Sequence, residues 1–294
     1  MEKQPAEGQK GRIHLVECPR DAMQGWKSVI PTTEKISYLN QLLQVGFGTL
    51  DFGSFVSPKA IPQMADTKEV IGGLDISATH TRLLAIVANL RGAEEAAAFD
   101  EISFIGFPFS ISETFQQRNT NSSMAESLDR VKKIQELCMS RNKELVIYIS
   151  MAFGNPYGDP YDKNIALDWA FKLGSLGIKT ISLADTVGLA TPDQVFELTS
   201  FLVKEMPNHE IGVHLHSRPE NRMKKIDAAL QAGCLRFDGA LKGIGGCPLA
   251  NDELVGNMDT ELMIEYFNEK RLLGPLNHQA LARSIALANE IFIS

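Results

Sequence analysis

Cysteine is scarce in this sequence: Cys18, Cys138, Cys234 and Cys247 stand in 294 residues, with no paired spacing. That excludes a disulfide framework and points to a reduced, cytoplasmic setting. Long apolar runs are missing too, so no stretch is suited to cross a bilayer. The opening "MEKQPAEGQKG" is polar and lacks the apolar segment of a secretory signal, and residues 1–11 read as a loose tail. Positive charge is not in excess. A formal net charge of -7 argues against a nucleic-acid protein held by a general basic field, while leaving room for a local basic patch. No linker-like or low-complexity segment divides the chain. No Gly-x-Gly-x-x-Gly follows the first strand-like run, which leaves a doubly wound dinucleotide-binding sheet without its usual signature. With 44% of residues hydrophobic, residues 1–294 are expected to form one domain.

Eight short apolar runs recur along the chain: 14–18, 49–53, 82–88, 101–106, 145–151, 180–186, 211–217 and 235–241. Such runs suit strands buried on both faces. Between them lie amphipathic segments. Residues 32–46 have a Thr start and a Gly stop, 126–141 set charges opposite Ile134, Leu137 and Cys138, and 191–207 open with Thr-Pro. Residues 164–177 and 222–233 end at glycine. Eightfold strand–helix alternation predicts an α/β fold, a (β/α)8 TIM barrel, with the helical stretch after about residue 259 packing outside it.

In such a barrel, functional groups gather at the C-terminal ends of the strands and in the loops beyond. "GVHLHSRPE" places His214 and His216 two residues apart at the end of a strand, where both imidazoles face one space. The other strand ends supply Arg20, Asp21 and Gln24, then Asp51 and Ser54, then Asp185, and finally Cys247 and Asn257 in the glycine-rich "KGIGGCPLANDELVGN". Two imidazoles with the Asp21 carboxylate suit a divalent metal: Mg²⁺ or Mn²⁺, less well Zn²⁺. Asn257 offers an amide oxygen to the same ion. Arg20 suits an anion that develops during reaction. Asp185 either caps the next helix or exchanges protons as a buried carboxylate. Gln24, Asp51 and Ser54 are candidates to bind substrate at the same rim. Cys247 sits on a loop that suits a phosphate cradle or a lid.

"ECPRDAMQ", "SFVSPKAIPQMADTKEV", "SLADTVGLATP", "VHLHS" and "GIGGCP" together resemble the 3-hydroxy-3-methylglutaryl-CoA lyase family, within the metal-dependent lyase and Claisen-synthase barrels. The match runs from about residue 13 to 290. The resemblance implies cleavage of an acyl-CoA substrate, 3-hydroxy-3-methylglutaryl-CoA, to acetyl-CoA and acetoacetate. It puts Asp21, His214, His216 and Asn257 at metal-ligand positions and Arg20, Asp185 and Cys247 at catalytic positions, with Cys247 on a mobile loop as proton donor. His216 and Asp185 both remain candidates for the base. A homodimer and a place in leucine catabolism are part of the same implication.

Three departures from the family pattern stand out. Where the family has Arg-Asp-Gly-Leu-Gln-Asn, this chain has "RDAMQG"; for Glu-Ala-Thr-Ser-Phe it has "DFGSF"; after the His pair, "SRPE" replaces Asp-Thr-Tyr-Gly. Asp51 thus shortens a site Glu, Gly53 removes a hydroxyl, and Ser217 removes a carboxylate beside the ligands. A lyase or synthase acting on another 3-hydroxyacyl-CoA, and a non-catalytic barrel that has kept the scaffold, are the competing readings.

Overall fold

Side chains on successive strand residues point to opposite sides, so each buried strand must satisfy two environments at once. The computed structural model describes residues 13–245 and 255–293, and Cys247 lies outside them. Eight parallel strands close into a barrel in chain order: β1 (His14–Glu17), β2 (Thr49–Ser54), β3 (Arg82–Ile86), β4 (Ile102–Ser110), β5 (Glu144–Ser150), β6 (Thr180–Asp185), β7 (Glu210–Leu215) and β8 (Arg236–Gly239). Pairing of β1 with β8, from His14 opposite Arg236 to Glu17 opposite Gly239, makes the closure. The expected (β/α)8 TIM barrel is the observed architecture.

Two apolar cores follow from the alternation. The smaller one, Leu84, Ile86, Phe104, Val146 and Tyr148, lies inside the barrel. The larger one joins outward residues such as Leu83, Phe107, Ile181 and Phe237 to the surrounding helices. The floor of the barrel is polar. Arg236, fully buried, reaches Glu210 at 3.2 Å, and His14 Nε2 meets Thr49 Oγ1 at 2.8 Å. Gly212, opposite Arg236 in the β7–β8 register, supplies the room, because a Cβ there would sit 2.8 Å from the Arg236 Cδ.

The helices are α1 (Pro19–Gln24), α2 (Thr32–Leu43), α3 (Thr67–Gly72), α4 (Leu90–Ala97), α5 (Glu113–Thr120), α6 (Met124–Ser140), α7 (Lys163–Gly174), α8 (Pro192–Glu205), α9 (Pro219–Gln231), α10 (Thr260–Glu269) and α11 (His278–Ile291). Capping boxes start two of them, Ser123 with Glu126 at α6 and Thr191 with Gln194 at α8. The last two helices follow the barrel, and Phe292 closes against Trp26 and Tyr38 at 5.2 and 6.2 Å between ring centroids.

Element ends differ from the sequence expectation where side-chain pattern and backbone pairing part ways. β4 continues to Ser110 rather than stopping at 106, because the β5 register pairs it residue by residue through Ser110 with Ser150. α2 stops at Leu43, short of Gly46, which takes a left-handed φ of 93° two residues past the helix's C-cap. Short helices α1, α3 and α5 carry too few turns to show a period, and α4 writes its period in the small residues Gly92, Ala93, Ala96 and Ala97 rather than in large apolar ones.

Glu17 has the outward parity of β1 and is fully buried. It accepts hydrogen bonds from the Leu241 N–H at 2.9 Å and the Thr260 hydroxyl at 2.6 Å, so it ties down both ends of the segment that follows β8. Burial pushes its carboxyl up to about 8, the two donors opposing only in part. The fold therefore favours the protonated acid. That stabilisation is complete below the unfolded-state value of about 4.5 and is lost as pH rises through 8. Glu17→Gln is expected to gain stability over the parent between pH 5 and 8.5, by on the order of 4 kcal/mol. Urea denaturation of both proteins at the two pH values measures it, and a pH-independent difference would contradict it.

Candidate active site

Pro19 occupies the first turn of α1, where its missing N–H costs nothing, and the chain turns directly from β1 into this buried helix. The turn delivers Arg20, Asp21 and Gln24 to the barrel mouth. Strand parity delivers the rest. His214 stands opposite Ala184 and Asp51 opposite Leu84, which places both on the inner face. An antiparallel bridge between His216 and Asn257 brings in the segment after β8.

Asp21, His214 and His216 bring one ligand atom each to within 4.8 Å of one another. The two Nε2 atoms are 3.3 Å apart, and His216 Nε2 is 3.9 Å from Asp21 Oδ2. Each ring is aimed from behind. His216 Nδ1 lies 3.0 Å from the Thr186 carbonyl, and His214 Nδ1 lies 3.2 Å from Asp238 Oδ2. With Nδ1–H donated in this way, both Nε2 lone pairs and a carboxylate oxygen converge on one point. Three lone-pair donors repel there unless a cation or a proton sits between them, so the residues fit a divalent metal. The Asn257 amide N–H₂ donates to Asp21 Oδ2 and to the Ile244 carbonyl, each at 2.8 Å, so it is the amide nitrogen that faces the Asp21 carboxylate. Gly245 must be glycine for this approach: its φ is +106°, and a Cβ would lie 2.6 Å from the Asn257 amide nitrogen.

Arg20 is clamped by two carboxylates. Nε and Nη2 donate to Asp51 at 3.1 and 2.5 Å, and Nη1 donates to Asp21 at 2.9 Å. Counting five guanidinium N–H groups, one on each Nη remains for an anion. Burial alone would discharge Arg20, but Asp51 and Asp21 outweigh it and hold the charge more firmly than usual. Burial also pushes Asp21 upward; Arg20, the two histidines and the Asn257 N–H overcome it and bring the carboxyl to about 2. For Asp51 burial prevails over Arg20, giving about 6, so at neutral pH all three groups are charged. Burial disfavours charge on either imidazole. Asp238 and Asp21 reverse this at His214, whose proton affinity rises, while His216, facing its neighbour's charge, falls.

Other predicted positions have different surroundings. Gln24 Nε2 donates to Asp21 Oδ1 at 2.7 Å, supporting a ligand. Ser54 Oγ accepts from the Val56 N–H at 3.2 Å. Gly53 makes space for Thr67, whose methyl would lie 2.7 Å from a Cβ at that position. Asp185 pairs with Leu215, not His214, in the β6–β7 register, so it has outward parity. Its carboxylate accepts from Lys225 Nζ at 2.7 Å and from the Ala190 N–H at 3.2 Å, and it does not join the clustered ligand atoms of Asp21, His214 and His216. Asp238 was missed in the sequence, although its place two residues beyond inward Arg236 marks it by the rule that found the His pair. Lys225 was missed as well. It shares the inner stripe of α9 with Arg222, Ile226 and Ala229.

The family model described as HMGL-like matches residues 13–287. The chain belongs to the HMGL-like family. Among its relatives, the rat cytoplasmic 3-hydroxy-3-methylglutaryl-CoA lyase is 36% identical over 259 residues, covering 87% of this chain and 74% of that protein. The chicken mitochondrial hydroxymethylglutaryl-CoA lyase is 34% identical, covering 87% and 86%. Among solved structures, an HMG-CoA lyase from Acinetobacter baumannii in complex with coenzyme A and 3-methylmalate superposes with a TM-score of 0.89 at 29% identity, covering 98% of this chain and 93% of that one. The resemblance seen in "ECPRDAMQ" and "GIGGCP" is thus a family relationship over nearly the whole chain. Within this HMGL-like barrel, no helix among the described residues is long and apolar enough to cross a membrane.

Asp238→Asn is expected to weaken divalent-cation binding about 10–100-fold by loosening the His214 ring. Calorimetric titration with Mn²⁺ reads this directly, and an unchanged dissociation constant would show the bond to be idle.

Proposed function

We propose that this protein is a carbon–carbon lyase that cleaves 3-hydroxy-3-methylglutaryl-CoA to acetyl-CoA and acetoacetate. The observation that carries the proposal is the convergence of Asp21, His214 and His216 beside a charged, doubly anchored Arg20. The similar lyases, one of them bound to coenzyme A, support the substrate class. Asp21, His214 and His216, with the Asn257 oxygen, would hold a divalent ion, and hard oxygen and imidazole donors without a thiolate favour Mg²⁺ or Mn²⁺. When bound, such an ion supplies Lewis acidity that lowers the pKa of a coordinated hydroxyl.

The chain's own groups do the remainder. The bond to be broken joins the carbinol carbon to the methylene beside the thioester, and its electrons pass to the thioester as an enolate. The two free N–H groups of Arg20 suit that oxyanion, and the Asp51 and Asp21 clamps fix their direction before the charge appears. A base takes the hydroxyl proton. Its two candidates are His216, which can serve only while its Nε2 is not given to the ion, and Asp185, whose carboxylate already carries the Lys225 and Ala190 contacts. Cys247, at the family's catalytic position, would return a proton to the enolate carbon. The Asp51 and Ser217 departures bear on which 3-hydroxyacyl-CoA is preferred. The cytoplasm fits the free, buried Cys18, Cys138 and Cys234, and a homodimer belongs to this same proposal.

Purified protein should release acetoacetate from 3-hydroxy-3-methylglutaryl-CoA with Mg²⁺ or Mn²⁺ and lose that activity in EDTA. Arg20→Met should lower kcat by roughly 10²–10³-fold, as expected for one preorganised donor to an oxyanion. Metal binding without cleavage of this thioester, but with cleavage of another in a panel, would reassign the substrate. No metal binding at all would favour the non-catalytic barrel.

A further inference from the structure

We propose that Lys225 is a positioning residue for the cation site: its buried ammonium, tied to Asp185, His216 and Gly188, sets where His216 presents its ring. The inference rests on the reading of Asp21, His214 and His216 as a divalent-cation site.

Lys225 is 1% exposed and comes from α9, on the outer layer of the barrel. Its Nζ donates to Asp185 Oδ2 at 2.7 Å, to the His216 carbonyl at 2.9 Å and to the Gly188 carbonyl at 3.3 Å. One cation thus joins the tip of β6, the loop beyond it and the residue that follows β7. The acceptors matter because of what is attached to them. The His216 carbonyl belongs to a proposed ligand. Asp185 is followed by Thr186, whose carbonyl faces His216 Nδ1 at 3.0 Å and whose hydroxyl accepts the Met151 N–H at 3.0 Å. Lys225 therefore fixes His216 twice, through its own backbone and through the strand tip that orients its imidazole.

A buried ion pair is poor evidence for net stability, since apolar residues of similar shape often replace it without loss. Its use here is registry: three backbone segments that converge on one ring are held by a group with three donors and no freedom to hydrate. The same contacts give the Asp185 carboxylate a structural employment.

The test compares Mn²⁺ dissociation constants, by calorimetry and by electron paramagnetic resonance of free Mn²⁺, in four proteins whose folding is checked by melting. Lys225→Met alone would strand a buried carboxylate, so the informative variants are Asp185→Asn and the double variant Lys225→Met/Asp185→Asn. The control is Lys35→Met/Asp66→Asn, another lysine–aspartate pair at 2.7 Å, with the lysine buried and the aspartate partly exposed. Asp185→Asn keeps an acceptor for Lys225 and should stay within about threefold of the parent. The Lys225 double variant should bind Mn²⁺ roughly 10–100-fold more weakly, while the control matches the parent. The inference is overturned by a Lys225 double variant within twofold of the parent, by Asp185→Asn as weak as the double variant, or by a control that weakens equally. A parent protein that binds no Mn²⁺ overturns the site reading, and this inference with it.

Discussion

Three lone-pair donors from distant parts of the chain face one another across less than 5 Å, and the surrounding structure holds them against their mutual repulsion. Asp21 comes from the helix after the first strand, His214 from the seventh strand and His216 from the residue just past it. None would stay there on its own. Gln24, Arg20 and Asn257 each donate to Asp21; Asp238 and the Thr186 carbonyl take the far nitrogens of the two rings. The barrel is the device that makes such a meeting geometrically inexpensive. Eight strands that point the same way deliver eight chain ends to one rim, and only the residues at those ends need to change for a new chemistry.

Charge is arranged around this point with a consistent logic. Arg20 would be discharged by burial if it stood alone, and Asp21 and Asp51 would be neutralised. Together they stay ionised, with the guanidinium held by two carboxylates and two of its N–H groups left over. The shorter carboxylate at 51, where the family carries Glu, still reaches Arg20 with both oxygens. The glycine at 53, where the family carries Thr, is filled from the side by Thr67. These two departures are repacked locally rather than left as gaps. At 217 the change is different in kind: the Ser217 hydroxyl turns to the Met258 sulfur at 3.6 Å, and a negative charge is absent from the ligand neighbourhood.

How far the site was legible depends on the periodicity that carries each residue. The His pair was readable because a period of two at a strand end puts both rings on one side. The same rule, carried to β8, marks Asp238 two places after Arg236, and applied to β6 it assigns Asp185 to the outer side with Ile181 and Leu183. Residue type and a strand-end position put Asp185 among the mouth residues, and there parity and chemistry disagree. Lys225 was harder to see. On a helix stripe it takes the place of an apolar residue, and a lysine there reads as a solvated edge until the acceptors on β6 and β7 are known.

The sequence by itself determined the eightfold alternation, the closed barrel, the family and the residue types gathered at its mouth, because buried strands and amphipathic helices write their periods locally. Which of those residues meet was decided only in three dimensions. Arg20 with Asp51, Asn257 with Asp21 and Lys225 with Asp185 lie 31, 236 and 40 positions apart. Contacts over such separations depend on strand register, on a bulge between Asp51 and Gly53, and on glycines that let backbone and side chain approach. Local periods set elements, while the balance of burial against paired charge is struck only once the ring of strands has closed.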